Sequence, residues 1–182
     1  IYLTYVLDFY ALKSLSSIES SFIYNFSPFV TAIFSYLFLN QKLDKNKIIG
    51  LVFGFLSFVP DLFQLFTTFN NGKLIPKLIN LGAVFCAVYG WIVMGKLVKA
   101  RGYSAVLVNG LGMFFGGILA LVTSFIFTPS GQPFIYQYSG FIYVTLINVI
   151  ISNFIYYNYY GYLLKIYTPT LVSFAGLMCP VF

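Results

Sequence analysis

The feature that most restricts this chain is the length of its apolar runs. Residues 18–39, 48–68, 78–97, 104–127 and 140–164 are each predominantly hydrophobic. Residues 1–14 read as the tail of one further run and residues 169–182 as the opening of another, which makes seven. A helix that crosses a bilayer needs ~20 apolar residues. Strands do not fit, because the runs are too long and do not alternate. A helix also satisfies its own backbone hydrogen bonds, which lipid cannot do. Polar breaks carrying turn residues separate the runs: Gln41 to Lys47, Asn70 to Lys73, Lys99 to Gly102, and Thr128 to Pro133. The chain is therefore expected to be an all-α polytopic membrane protein. Only 8% of its residues are charged, against about 25% in soluble domains, too few to cover a surface in water.

Ten Lys/Arg against four Asp/Glu give a net charge of +6. These bases stand singly or in small groups between apolar runs, so they read as topology charges and no nucleic-acid partner is expected. Lys13, Lys73 and Lys77 fall on one face of the membrane. Lys42, Lys45, Lys47, Lys96, Lys99, Arg101 and Lys165 fall on the other, which should be cytoplasmic in a cell inner membrane. Cys86 and Cys179 lie inside apolar segments and the chain has no His, so neither a disulfide, a metal nor a cofactor is expected. The start at Ile1 and the end inside an apolar run read as truncations of a longer protein.

The chain also matches itself. Residues 1–30 align without gaps on residues 153–182, an offset of 152, pairing Tyr5 with Tyr157, Tyr10 with Tyr162, Leu12 with Leu164, Lys13 with Lys165, Ser21 with Ser173, Phe22 with Phe174 and Pro28 with Pro180. Lys13 falls on the outer face and Lys165 on the inner one, so the two copies cross in opposite senses. That is the inverted-topology repeat through which many secondary transporters alternate access.

Several stretches resemble the EamA-type transporters of the drug/metabolite transporter superfamily. Ala11-Leu12-Lys13, Ser27-Pro28-Phe29-Val30-Thr31-Ala32 and Tyr36 to Leu43 resemble that family's third and fourth helices. Lys47-Ile48-Ile49-Gly50 with Gly54 resembles its fifth, and Trp91 followed by Lys96 its sixth. Leu163-Leu164-Lys165 and Pro180-Val181-Phe182 resemble its eighth and ninth. The resemblance implies an inverted-repeat transporter fold of ten helices, about seven of them present. Residues 1–68 would be the later part of the first five-helix repeat, 69–77 the inter-repeat loop, and 78–182 the second repeat, ending within its fourth helix. It implies a central cavity and a small polar substrate, amino-acid-like or nucleoside-containing such as S-adenosylmethionine. The family usually has Glu where this chain has Gln41.

Candidate site residues follow from cost. Pro28 and Pro180 each lack an N–H and free a carbonyl one turn earlier, at Tyr24 and Gly176; matched breaks in two halves point to a substrate site, the alternative being a structural kink. Ser21, Asn25, Thr31 and Ser35 share a helical face with Pro28, and Asn148, Ser152, Tyr156 and Tyr159 form a second stripe. Both should face inward, as cavity lining or as interhelical hydrogen bonds. Asp8 is an intramembrane carboxylate that could hold a cationic group or a coupling proton, or pair structurally with Lys13 or a Tyr hydroxyl. Tyr89 and Trp91 could make an aromatic wall or pack against lipid. Ser16 to Glu19 reads as a capping box. The pairs Gly50/Gly54 and Gly112/Gly116 allow close helix packing or a homodimer.

A secondary transporter is the expected function, with a small-molecule substrate and the lipid bilayer as partners. With no His, few carboxylates and no Walker-type phosphate loop, neither an enzyme nor an ATPase is expected. A non-transporting scaffold or receptor is the alternative.

Overall fold

The computed structural model describes residues 1–41, 44–57, 73–127 and 138–176, and every regular element among them is helical. These are α1 Tyr2–Leu12, α2 Ser17–Tyr24, α3 Ser27–Leu39, α4 Lys45–Ser57, α5 Leu74–Ala100, α6 Ala105–Phe127, α7 Tyr138–Asn148, a π-helix at Val149–Tyr156, α8 Tyr157–Ile166 and α9 Pro169–Gly176. Among the described residues, four stretches are long and apolar enough to cross a membrane: Ser17–Leu39, Leu74–Ala100, Ala105–Phe127 and Tyr138–Ile166. At ~1.5 Å per residue even 23 residues outreach a hydrocarbon core ~30 Å thick.

These boundaries lie close to those expected from the apolar runs, with two shifts. Lys45 already opens α4, so the break after Leu39 is shorter than its polar residues suggest. Leu74 opens α5, so residues 74–77 of the expected inter-repeat loop form a helical turn. The later part of the 48–68 run, residues 69–72 of that loop, Cys179 and Pro180 lie outside the described residues.

Local chemistry sets the helix ends. The Ser16 hydroxyl accepts the Glu19 N–H at 3.2 Å, and the Glu19 carboxylate accepts the Ser16 N–H at 2.8 Å, closing the expected capping box on α2. The same carboxylate receives the Lys73 ammonium at 3.3 Å, bringing the start of α5 to the start of α2. At the far end of α3, Asn40 takes a left-handed conformation (φ 49°), and both it and Gln41 direct their N–H groups to the Ser35 carbonyl.

The chain divides into two compact units, one built from Leu3–Val93 with the helix after Thr168, the other from Met94–Tyr167. In the first unit, Ala11, Leu15, Ile23, Val30, Val84, Val88 and Ile92 form a buried cluster. Phe34 packs against Phe85 at 5.8 Å, and Phe38 against Tyr89 at 5.7 Å. Both partners advance by four residues in the same sense, so α3 and α5 run parallel, and the chain between them returns to the end where α2 begins. Helix α9 also packs on α3. The buried residues of the two helices are mostly small or hydroxylated: Pro28, Thr31, Ala32 and Ser35 on α3, with Thr170, Val172 and Ser173 on α9. Small residues let membrane helices approach closely where no hydrophobic force draws them together.

In the second unit, α6 packs on α8. Gly161 lies against the start of α6, where an added Cβ would meet the Met94 side chain and come within 2.7 Å of the Ala105 Cβ. Met94 can swing aside, but Ala105 cannot. Gly161→Ala should therefore destabilise the full-length protein by about 1–3 kcal/mol, the usual range for overpacking. Gly110→Ala, where nothing lies within 4 Å, should have little effect. Thermal unfolding in detergent compares the two.

Candidate functional site

Two polar clusters interrupt the apolar interior, one in each unit. The first centres on Asp8. Its Oδ1 accepts the Asn80 amide at 2.8 Å and the Ser20 hydroxyl at 3.2 Å, and the same amide reaches the Ser20 Oγ at 3.0 Å. Helices α1, α2 and α5 thus each supply one member of a closed triangle. Asn80 is fully buried and Ser20 buried, while Asp8 is half-buried. The Asn80 Oδ1 and the Thr4 hydroxyl, one turn before Asp8, are buried without partners.

Among the described residues, the hydrogen bonds to Asp8 come from Ser20 and Asn80. Lys13 lies over the Tyr10 ring, 5.6 Å from its centroid. Asn80, the residue that holds Asp8, was not singled out from the sequence. The available signal was one amide inside the run Leu78-Ile79-Asn80-Leu81, where an unpartnered polar group is costly.

The segment around Pro28 is broken as well as bent. Tyr24 ends α2, and Asn25 and Phe26 stand outside either helix. The Phe26 N–H reaches only three residues back, to Ile23, at 3.1 Å. Pro28 sits in the first turn of α3, fully buried, where its missing N–H costs no helical bond of that helix. The Tyr24 carbonyl loses the donor that any other residue at 28 would offer. Asn25 is half-buried and, with Ser17, Ile18, Ser21 and Phe22, lines a shallow hollow. The other stripe members differ in state. Ser21 is exposed and bonds the Ser17 carbonyl at 2.8 Å, Thr31 bonds the Ser27 carbonyl at 2.7 Å, and the Ser35 hydroxyl is buried without a partner.

Tyr89 and Trp91 do not make one wall. Residues two apart on a helix point to different sides. Tyr89 is exposed beside Phe38, whereas Trp91 packs on the buried cluster of the first unit.

The second cluster lies at the π-helix. The Asn109 amide of α6 reaches the Asn153 carbonyl at 3.3 Å and the Asn158 Oδ1 at 3.4 Å, and the Asn158 amide takes the Phe154 carbonyl at 2.7 Å. Widening the ladder to i→i+5 loosens these carbonyls, and asparagine side chains satisfy them. The wide turn also breaks the period of 3.6 on which the expected stripe relied. Asn148 and Tyr156 are exposed and Ser152 half-buried; the amides brought together are Asn109, Asn153 and Asn158. Pro180 lies outside the described residues. No group of metal-binding side chains occurs among the described residues.

Several helices long and apolar enough to cross a membrane define a multi-pass α-helical membrane protein. Residues 1–59 match the EamA-like transporter family. The whole chain aligns with a protein of Chlamydia muridarum (strain MoPn / Nigg) at 32% identity over 197 residues, and with one of Chlamydia trachomatis serovar D at 31%, covering 58% and 57% of their lengths. Both relatives are S-adenosylmethionine/S-adenosylhomocysteine transporters by name. No solved structure matches the chain. The chain is thus similar to EamA-like transporters over its first third and to these two proteins along its whole length, and it spans a little over half the length of these relatives.

Asn80→Ala would leave Asp8 with one donor in place of two. A buried group stripped of its partner costs about 1–3 kcal/mol, so the thermal midpoint of the purified full-length protein should fall accordingly. An unchanged midpoint would mean that the amide holds nothing in the fold.

Proposed function

We propose that the full-length protein is a secondary transporter that carries a small polar metabolite of the S-adenosylmethionine and S-adenosylhomocysteine kind across the membrane by alternating access. The observation that carries this reading is the broken span, in which Asn25 and Phe26 interrupt the crossing just before the buried Pro28, while α9 packs on α3. Helix α2 begins at Ser17 and α9 at Pro169, and 169 − 17 gives the 152-residue offset of the sequence repeat. A segment equivalent to α2 therefore lies beside the continuation of α2 itself, the kind of contact on which an inverted-repeat carrier pivots. The names of the chlamydial relatives supply the substrate class.

The chemistry of such a substrate suits the proposed site. A sulfonium and an ammonium are cations, for which Asp8 offers the opposite charge. Tyr24, Tyr89 and Trp91 offer aromatic faces to a planar base or a cation. Asn25 offers hydrogen bonds beside the break at Pro28 in the first unit, Asn148, Ser152 and Tyr156 offer theirs within the second unit, and Pro180 is proposed from the sequence repeat alone. A homodimer belongs to the proposal through Gly50, whose helix surface has nothing within 4 Å.

Full-length protein reconstituted into liposomes and preloaded with S-adenosylhomocysteine should take up labelled S-adenosylmethionine. Asp8→Asn should express normally and lower that uptake about tenfold, the loss of ~1.4 kcal/mol of interaction. Absence of flux across a broad metabolite panel would leave the scaffold reading in its place. Normal uptake by Asp8→Asn would remove Asp8 from the site.

A further inference from the structure

Three asparagines meet at the widened turn of the second unit, and two of them fasten it. The Asn109 amide reaches the Asn153 carbonyl at 3.3 Å and the Asn158 Oδ1 at 3.4 Å, both longer than usual. The Asn158 amide donates to the Phe154 carbonyl at 2.7 Å. Asn158 thus uses both ends of its side chain, while Asn153 lends only its backbone carbonyl. The Asn153 side chain enters none of these bonds, and its Oδ1 is buried with no donor among the described residues.

A cluster that served only to mend the π-helix would have no use for this third amide. An unpaired buried oxygen costs more than a net hydrogen bond contributes, and an apolar residue at 153 would keep the same backbone bond to Asn109. The position is also notable. Asn153 stands one residue past the middle of the Tyr138–Ile166 span. Carriers hold their substrates near that depth, on interrupted helices, and π turns recur at functional sites.

An aromatic ring adjoins the amide. Tyr157 follows Asn153 by four residues, which brings the two to one side of the helix. Both are half-buried. The Tyr157 ring meets that of Tyr156 at 5.8 Å, and Tyr156 meets Tyr160 at 6.1 Å. An amide presents a donor beside an acceptor, which matches the amine and ring nitrogen on one edge of adenine. A tyrosine ring offers its face to the flat of a base. The bonds of the cluster involve only neutral groups, which suits a heterocycle better than the charged end of a substrate.

We propose that the Asn153 side chain and the Tyr157 ring form the subsite for the purine base of the substrate, with Asn109 and Asn158 as positioning residues that fasten the turn. The choice of a nucleoside rests on the carrier reading above. The exocyclic amine of the base donates to the Asn153 Oδ1, the Asn153 Nδ2 donates to a ring nitrogen, and the Tyr157 ring covers the base. Because the Asn153 side chain holds none of the cluster's bonds, it turns to meet the base without loosening the helix.

Equilibrium dialysis of the purified full-length protein in detergent tests the contact, with labelled S-adenosylhomocysteine and S-inosylhomocysteine as probes. The second carries an oxygen where adenine carries its amine. The unaltered protein should bind the adenine compound about tenfold more tightly. Asn153→Ala should bring the two affinities together and leave the thermal midpoint at or above its original value, since an unpaired oxygen is removed. Tyr157→Leu should weaken both compounds alike. Equal binding of the two probes by the unaltered protein overturns the subsite, as does binding of neither. Full discrimination in Asn153→Ala with a lowered midpoint would make Asn153 a structural residue and overturn it too. Unchanged binding by Tyr157→Leu removes the ring from the subsite. If Asn153→Ala fails to fold, Asn153→Leu, which keeps the volume, carries the decision. Flux in liposomes separates the two proposals. Discrimination that depends on Asn153, without flux, would sink the carrier reading and leave the subsite standing; flux with discrimination untouched by Asn153→Ala would do the reverse.

Discussion

Everything in this molecule follows from one shortage: hydrocarbon offers a polar group nothing to bond with. Each backbone and side-chain polar atom inside a span must find its partner within the protein. The helices answer for most of the backbone. What remains is concentrated at a few places where the ladder fails, at Tyr24–Phe26 and along Val149–Tyr156, and where a polar side chain enters an apolar run, at Asp8, Asn80 and Asn109. At Asp8 and Asn80, and at the π-helix, the structure brings complementary groups from a neighbouring helix.

The same shortage decides what could be read from residues alone. Span positions were legible, because the length and hydropathy of a run fix a crossing without knowledge of any neighbour. The capping box was legible too, since Ser16 and Glu19 bond locally. Partners distant in sequence were not. Asp8 stood out as a charge, but nothing local says that its donors would be Ser20 and Asn80, 12 and 72 residues away. The stripe at Asn148, Ser152, Tyr156 and Tyr159 was drawn on a different footing. It assumed an α-helical period through a segment that winds as π, and single-sequence patterning carries no signal for that change. Tyr89 and Trp91 were grouped by proximity in sequence, although two-residue spacing on a helix separates them.

The parallel course of α3 and α5 ties these observations to the whole fold. That pairing rests on contacts between residues distant in sequence. The aromatic pairs Phe34–Phe85 and Phe38–Tyr89 fix the register of that pairing at one end, and the bond from Lys73 to Glu19 fixes it at the other. The Asp8 triangle lies between these two fastenings along α5.

The π-helix has a consequence for how this sequence can change. A wide turn holds a surplus residue relative to an α turn, and surplus can be removed. Loss of one amino acid between Val149 and Tyr156 would let the segment wind as an ordinary helix while Tyr157–Ile166 kept its facing. The same loss within Ala105–Phe127 would rotate half a span by a full residue step and turn its buried Asn109 and Gly116 out of register with one another. Length variation in this protein should therefore be absorbed at the wide turn, with the asparagines that now serve its loosened carbonyls released for other bonds.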